Sequence, residues 1–416
     1  MSFSVVEFCQ QAKAASLQLA QLSEAKKNAA LEAIAQGIET QQQPILAANA
    51  LDMAAGRGKG LSDAMLDRLL LTPERLLNLA AAVRQVAALP DPVGKIRDLT
   101  SRPNGIQVGR MRIPLGVIAM IYEARPNVTA DAGALCLKSG NAVILRGGRE
   151  ALQSSLAIAA VMQQALQQQG IHPAAVSVVP DPDRGLLLQL LQQKQYIDLV
   201  IPRGGEGLIH FVSDHSKIPV IQHYKGVCHL YVDKDADLDK AMALLLNGKT
   251  QRPGVCNALE TLLVHQQIAG HFLPKAAAAL AAQQVEVFAC AQSLAFFSGA
   301  TLADETQYDT EYLRLALSVK TVPDYAAAIA HIQRHSSGHT EVICTQDYST
   351  AQRFIRDINS AVVMVNASSR FSDGGELGLG AEIGISTSKL HAYGPMGLEA
   401  LTTEKYLVLG DGQIRS

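Results

Sequence analysis

From Val5 to about Leu89 the apolar residues recur at three- and four-residue spacing through an Ala-, Leu- and Gln-rich stretch, the period of amphipathic helices. Thr72-Pro73-Glu74 places Thr at an N-cap and Pro in the first turn, so a helix is predicted to start there. Leu89-Pro90-Asp91-Pro92 closes this section, and Ile96–Ile113 reads as a hairpin around an Asn104-Gly105 turn. The periodicity then changes. Gly116–Tyr122, Ala142–Leu145, Val176–Val179 and Ile197–Ile201 are unbroken apolar runs separated by helical patterns at Val128–Leu137, Ala151–Gln168 and Gly185–Gln193. The alternation resumes after Val220 and continues to Val362–Val365. Continuous apolar strands alternating with helices predict doubly wound parallel sheets covered on both faces. At 416 residues the chain is too long for one core, so two α/β lobes with a cleft between them are expected.

Composition narrows the function classes. Apolar residues make up 48% and charged residues 18%, ordinary values for an α/β protein in water. The net charge of -2, with charges interspersed, argues against nucleic acid or an anionic membrane as partner. The absence of Trp and an aromatic content of 5% argue further against base stacking. The apolar runs are too short to span a membrane, and the N-terminus does not read as a signal peptide. Six cysteines lie scattered without CxxC spacing, which predicts neither a disulfide framework nor a structural metal site and suits a reducing cytoplasm.

Three segments could carry chemistry. The strand Ile197–Ile201 runs into Pro202-Arg203-Gly204-Gly205-Glu206-Gly207 and then a helix, where backbone N–H groups could receive a phosphate; a tight strand-to-helix turn is an equal reading. The strand at Ala142–Leu145 delivers Arg146 to its C-terminal end, where open α/β sheets bind ligands and where a cation would suit a ribose 2′-phosphate; a plain surface Arg is the alternative. The segment Asn247-Gly248-Lys249-Thr250-Gln251-Arg252-Pro253-Gly254-Val255-Cys256-Asn257 reads as a cation-bearing, Gly-rich loop before a strand, in which Lys249 and Arg252 would favour a thiolate at Cys256. Cys136, Cys228, Cys290 and Cys344 sit in apolar patterns and read as core, and Cys9 has no cationic neighbourhood.

The ordered set Arg112-Ile113-Pro114-Leu115-Gly116-Val117, Tyr122-Glu123-Ala124-Arg125-Pro126-Asn127-Val128, Lys138 to Gly148, Ile201-Pro202-Arg203-Gly204-Gly205, Lys249 to Glu260 and His335-Ser336-Ser337-Gly338-His339-Thr340-Glu341 resembles the aldehyde dehydrogenase superfamily over essentially the whole chain. Within it, the similarity is to members that reduce acyl phosphates. The resemblance implies NADPH-dependent conversion of L-glutamyl 5-phosphate to L-glutamate 5-semialdehyde and phosphate through a Cys256 thioester, a step of proline biosynthesis. It also implies no metal cofactor. Alternatives from the same fold are a dehydrogenase of another acyl donor and a catalytically silent scaffold.

Residue by residue, the resemblance implies Arg146, Gly204, Gly205 and Glu311 for the cofactor, and Arg125, Lys249, Arg252 and Arg370 for the substrate's phosphate and α-carboxylate. The superfamily's oxyanion-hole Asn falls near Ala124, so the N–H of Cys256 and the side chain of Asn127 are expected to replace it. Hydrolytic relatives carry a Glu base where Gln222 aligns, so the thioester is expected to escape water. His339 lies in a family signature and reads equally well as a loop histidine. The implied architecture is an NADP-binding domain (1–97 and 115–227), a catalytic domain (228–386), and an oligomerisation hairpin and tail (98–114 and 387–416). The hairpin's open strand edge suits a homo-oligomer, and a glutamate kinase is the candidate channelling partner.

Overall fold

The computed structural model describes residues 3–415, which fall into two compact units. Met1, Ser2 and Ser416, the outer ends of the predicted first and last segments, lie outside the described residues. One unit runs to Gln222 and takes in Leu379–Gly384 and the chain from Met396 onward; the other comprises His223–Gly378 and Ile385–Pro395.

The first unit opens with helices Val5–Leu19, Glu24–Thr40, Gln42–Gly58, Asp63–Leu69 and Pro73–Ala88. Ser4, Ser23, Ser62 and Thr72 each accept a hydrogen bond from a backbone N–H in the first turn that follows, which ends the preceding connection where the apolar periodicity begins. Pro73 sits at the first turn after Thr72 as its missing N–H allows. Val117–Tyr122 is buried along its whole length and pairs in parallel with Ala142–Arg146 on one side and Leu199–Arg203 on the other. Val176–Val178 completes this four-stranded parallel sheet at the Ala142–Arg146 edge. A strand with water on neither face has no reason to alternate, and the uninterrupted VIAMIY run reflects this.

The predicted hairpin is present as Ile96–Ser101 against Gln107–Pro114, and Gly105 turns it with φ +87°, a conformation open to glycine. Thr402–Leu409 joins the same sheet antiparallel to Gln107–Pro114, from Thr402 opposite Pro114 to Leu409 opposite Gln107. Glu404 ties the three strands together: its carboxylate accepts from Arg97 at 2.6 Å, and that contact holds it below the usual carboxylate range.

The second unit is a seven-stranded parallel sheet in the order Thr301–Leu302, Glu286–Ala289, Ala316–Val322, Leu259–His265, Cys228–Val232, Thr340–Cys344, Val362–Val365. One face buries Leu230, Leu262, Phe272, Leu273 and Val319 under helices Leu238–Thr250 and Gln266–Ala282. The other buries Tyr231, Leu263, Ile332 and Phe354 under helices Tyr325–His335 and Tyr348–Asp357. Helices on both faces of each parallel sheet meet the doubly wound expectation.

One local expectation is corrected. Asn247-Gly248-Lys249-Thr250 was assigned to a loop, yet the helix from Leu238 runs through it to Thr250. Gly248 allows this by packing: a Cβ there would lie 3.3 Å from Leu259 Cβ and 3.4 Å from Ser369 Oγ, so a glycine is used for helix-to-strand approach rather than for a turn.

Candidate active site

Cys256 stands in the short connection between the helix Leu238–Thr250 and the central strand Leu259–His265, and it is half-buried. The connection is fastened from several sides. Ala258 N–H donates to the Val255 carbonyl at 3.0 Å, and Asn257 Nδ2 donates to the Ser372 carbonyl at 2.9 Å. The Cys228 thiol donates to the Cys256 carbonyl at 3.3 Å, and a Cβ at Gly226 would collide with that carbonyl, so the neighbouring backbone passes as closely as glycine permits. Glu311 contributes here: its carboxylate accepts from Gly226 N–H at 2.9 Å. Burial pushes the Cys228 thiol well above its ordinary pKa, which leaves it a protonated prop.

The four candidate substrate cations are used differently. Lys249 is turned inward, onto a carboxylate of the chain itself. It sits fully buried in the last turn of its helix with Nζ 2.6 Å from the equally buried Glu260 carboxylate. Burial opposes both charges, lowering the Lys249 pKa and raising that of Glu260, while their mutual attraction works against it. Sequence reasoning counted Lys249 as a loop cation because the apolar pattern does not reveal that the helix carries it under the sheet.

Arg370 and Arg252 are placed otherwise. Arg370, half-buried, donates from Nε to Gln251 Oε1 at 2.7 Å, and its Nη1 is buried with no hydrogen-bond partner among the described residues. Burial first and the neighbouring positive Arg252 second lower its pKa, while Asp373 foremost, then Cys256 and Cys228, draw it up. Arg370 therefore lies within charge range of Arg252, Asp373 and Cys256, and a guanidinium with a buried, unpaired N–H suits an anion. Arg125, in the first unit, is exposed and accepts from Val128 N–H through its carbonyl at the start of helix Val128–Lys138.

His339 and His223 also face this cysteine. A ligating atom of each of His223, Cys256 and His339 lies within 4.8 Å of the others, and the two rings meet edge to face at 5.2 Å. His339 is buried, which lowers its pKa to about 3 and keeps the ring neutral. His339 lies in a family signature, but no local signal set His223 apart or joined the two: the strand pairing that sets Cys228–Val232 beside both Leu259–His265 and Thr340–Cys344 brings the segments together.

In the first unit, Gly204 and Gly205 stand between strand Leu199–Arg203 and helix Glu206–His215. Gly205 N–H donates to the Glu123 carboxylate at 3.0 Å, so a negative group of the chain itself occupies this helix start. Arg146 ends its strand half-buried; Nη2 donates to the Pro182 carbonyl at 2.6 Å, and Nε has no partner among the described residues. Burial lowers its pKa, Glu150 opposes this, and Arg184 adds to it, which marks Arg184 as a second cation nearby that sequence reasoning passed over. The under-satisfied Arg146 guanidinium fits a phosphate-bearing dinucleotide, whereas the Gly205 N–H is already taken by Glu123. Asn127 lies exposed at the N-cap of Val128–Lys138 and donates from Nδ2 to Asp131 at 2.9 Å. Gln222 accepts from the Ser213 hydroxyl.

Comparison with known proteins gives the family. The aldehyde dehydrogenase family matches residues 3–293. A gamma-glutamyl phosphate reductase of Idiomarina loihiensis is 64% identical over 98% of this chain and 98% of its own length. One of Shewanella denitrificans is 61% identical over 100% and 99%. The crystal structure of gamma-glutamyl phosphate reductase from Thermotoga maritima superposes with a TM-score of 0.98 at 42% identity, covering 100% of both chains. With its two parallel sheets and a half-buried cysteine in the connection that enters the central strand of one of them, the chain belongs to the gamma-glutamyl phosphate reductases of the aldehyde dehydrogenase family.

Proposed function

We propose that this chain reduces L-glutamyl 5-phosphate to L-glutamate 5-semialdehyde and inorganic phosphate with NADPH, through a thioester on Cys256, as a step of proline biosynthesis. The observation that carries the mechanism is Arg370, whose Nη1 is buried without a partner among the described residues in the company of Arg252 and Cys256. A buried N–H left unpaired costs about 1–3 kcal/mol, and a substrate anion would recover it.

In this reading the Cys256 sulfur attacks the acyl carbon, the carbon–oxygen bond to phosphate breaks, and phosphate departs with the bonding pair. Arg370 and Arg252 balance the charge on the leaving group, while the Cys256 N–H faces the carbonyl oxygen as it becomes an oxyanion. The thioester that results is more electrophilic than an oxygen ester. NADPH, when bound, is the source of hydride, and Arg146, Gly204 and Gly205 are the residues assigned to hold it. Cys256 is then the leaving group as the hemithioacetal collapses, which restores the thiolate and frees the aldehyde. Gln222 bears an amide where hydrolytic relatives bear a carboxylate, so no base stands at that position to activate water.

The test is the reverse reaction, NADP reduction by glutamate semialdehyde. Turnover that requires phosphate and vanishes in Cys256→Ala is expected. Phosphate-independent turnover, or turnover with coenzyme A in its place, would overturn the substrate assignment.

We assign the chain to a homo-oligomer joined through the three-stranded sheet, which exposes Ile96, Leu99, Tyr406, Val408 and Leu409. The cytoplasm is its assigned compartment, since the cysteines form no disulfide among the described residues, and among these residues no helix is long and apolar enough to cross a membrane. A glutamate kinase is the assigned source of the labile acyl phosphate.

A further inference from the structure

We propose that His223, Cys256 and His339 form a binding site for a thiophilic divalent cation, Zn²⁺ in particular, whose occupancy caps the Cys256 sulfur and reversibly stops turnover. One thiol and two imidazoles converge with a ligating atom of each within 4.8 Å of the others. A tetrahedral zinc ion, with bonds of about 2.3 Å to sulfur and about 2.0–2.1 Å to nitrogen, needs ligand atoms roughly 3.4–3.6 Å apart. No side of the triangle therefore needs to close by more than about 1.4 Å, within the reach of the half-buried His223 and Cys256 side chains, while His339 stays fixed by its burial. Three protein ligands leave a fourth position for water, the open arrangement of reactive rather than structural zinc sites.

The hydrogen bonds around His339 decide which of its nitrogens is available. Thr340 spends its hydroxyl hydrogen on Ser372 Oγ at 2.8 Å. Its oxygen can then only accept from His339 Nδ1, 2.7 Å away, so the proton of the neutral ring is on Nδ1. The lone pair is on Nε2, which is buried and has no hydrogen-bond partner among the described residues. A metal-ligating histidine is commonly held in this way, its far nitrogen donating to an oxygen that orients the ring. Cysteine with imidazole suits zinc, which is redox-inert and would leave the sulfur unoxidised. On binding, the metal replaces the thiol proton, which is released to solvent, so sulfur keeps its electron pair and changes only its partner.

The inhibitory half of the proposal rests on Cys256 being the nucleophile; the binding half does not. The experiment titrates the full metal-free chain with Zn²⁺ against a chromophoric chelator, and in parallel with Co²⁺ followed by absorption. One Zn²⁺ per chain is expected, with affinity weakened about 100-fold or more in Cys256→Ser and in His223→Asn, neither of which disturbs the buried His339. A thiolate-to-cobalt charge-transfer band is expected in the unmodified chain and not in Cys256→Ser. Turnover should fall in step with occupancy and return on chelation. Failure of the unmodified chain to bind zinc, or zinc binding undiminished in both variants, overturns the site. Full occupancy with full turnover would uphold the site and overturn Cys256 as nucleophile.

Discussion

A guanidinium that is buried on one nitrogen and bonded on another has already given up its water, so its remaining N–H groups gain more from an anion than those of an exposed arginine. Arg370 is in that position and its neighbour Arg252, exposed, is not. In the reverse assay, Arg370→Ala is expected to lower kcat/KM for phosphate by about 10–100-fold, the equivalent of one charge-assisted hydrogen bond. Arg252→Ala should cost less than about tenfold, as an exposed charge does. Arg370→Lys should recover only part of the loss, because an ammonium does not reproduce the fork. Equal losses for the two arginines would remove Arg370 from its special place. At this scale the chain was partly legible. Cys256 could be singled out from its surroundings in the chain, whereas the inward turn of Lys249 and the approach of His223 and His339 depend on strand order, which no local window contains.

The helix Leu238–Thr250 and the strand Leu259–His265, which flank the Cys256 connection, are joined by a buried ion pair, Lys249 with Glu260. A buried pair contributes little against apolar replacements of similar volume, but removing one partner strands the other charge. Lys249→Met is therefore expected to destabilise the chain by about 3–5 kcal/mol, and Lys249→Met with Glu260→Leu to recover most of that. Denaturant midpoints of the single and double variants measure it. If Lys249→Met instead left stability unchanged and raised only KM, Lys249 would be a substrate cation after all. Elements were the most legible level. The unbroken apolar strands predicted parallel pairing, and the capped starts at Thr72 and the turn at Asn104-Gly105 stand where the residues place them. The exception, the helix passing through Asn247-Gly248, shows tertiary packing overriding a turn signal: Gly248 is there to let Leu259 approach.

For the whole molecule, the predicted acid response and the proposed assembly involve groups other than those of the candidate site. His331 is buried against His229, His335 and Tyr308 and receives Lys320 Nζ at 3.2 Å on Nδ1. Burial foremost, with the positive charges around it, lowers its pKa to about 2. Between that value and 6.5 the folded chain binds fewer protons than the unfolded one, so stability is full above pH 6.5 and falls as pH drops below it. Each such histidine contributes up to about 1.4 kcal/mol per pH unit in this window, so His331→Gln should flatten the fall in denaturation midpoint between pH 6.5 and 5. An unchanged slope would assign the acid response to other groups. The proposed homo-oligomer would be joined through the three-stranded sheet. The strand Ile96–Ser101 is exposed throughout, and its outer edge is unpaired among the described residues, the feature that invites a further strand. Around it Ile96, Leu99, Tyr406, Val408 and Leu409 place apolar surface in water, which a second copy would cover. Sedimentation should therefore find the unmodified chain as a dimer or larger. Leu99→Asp with Val408→Asp, both at exposed positions, should shift it toward monomer without loss of helix content. A chain that sediments as a monomer before any substitution would leave that apolar surface to another partner and remove the second copy from the reading.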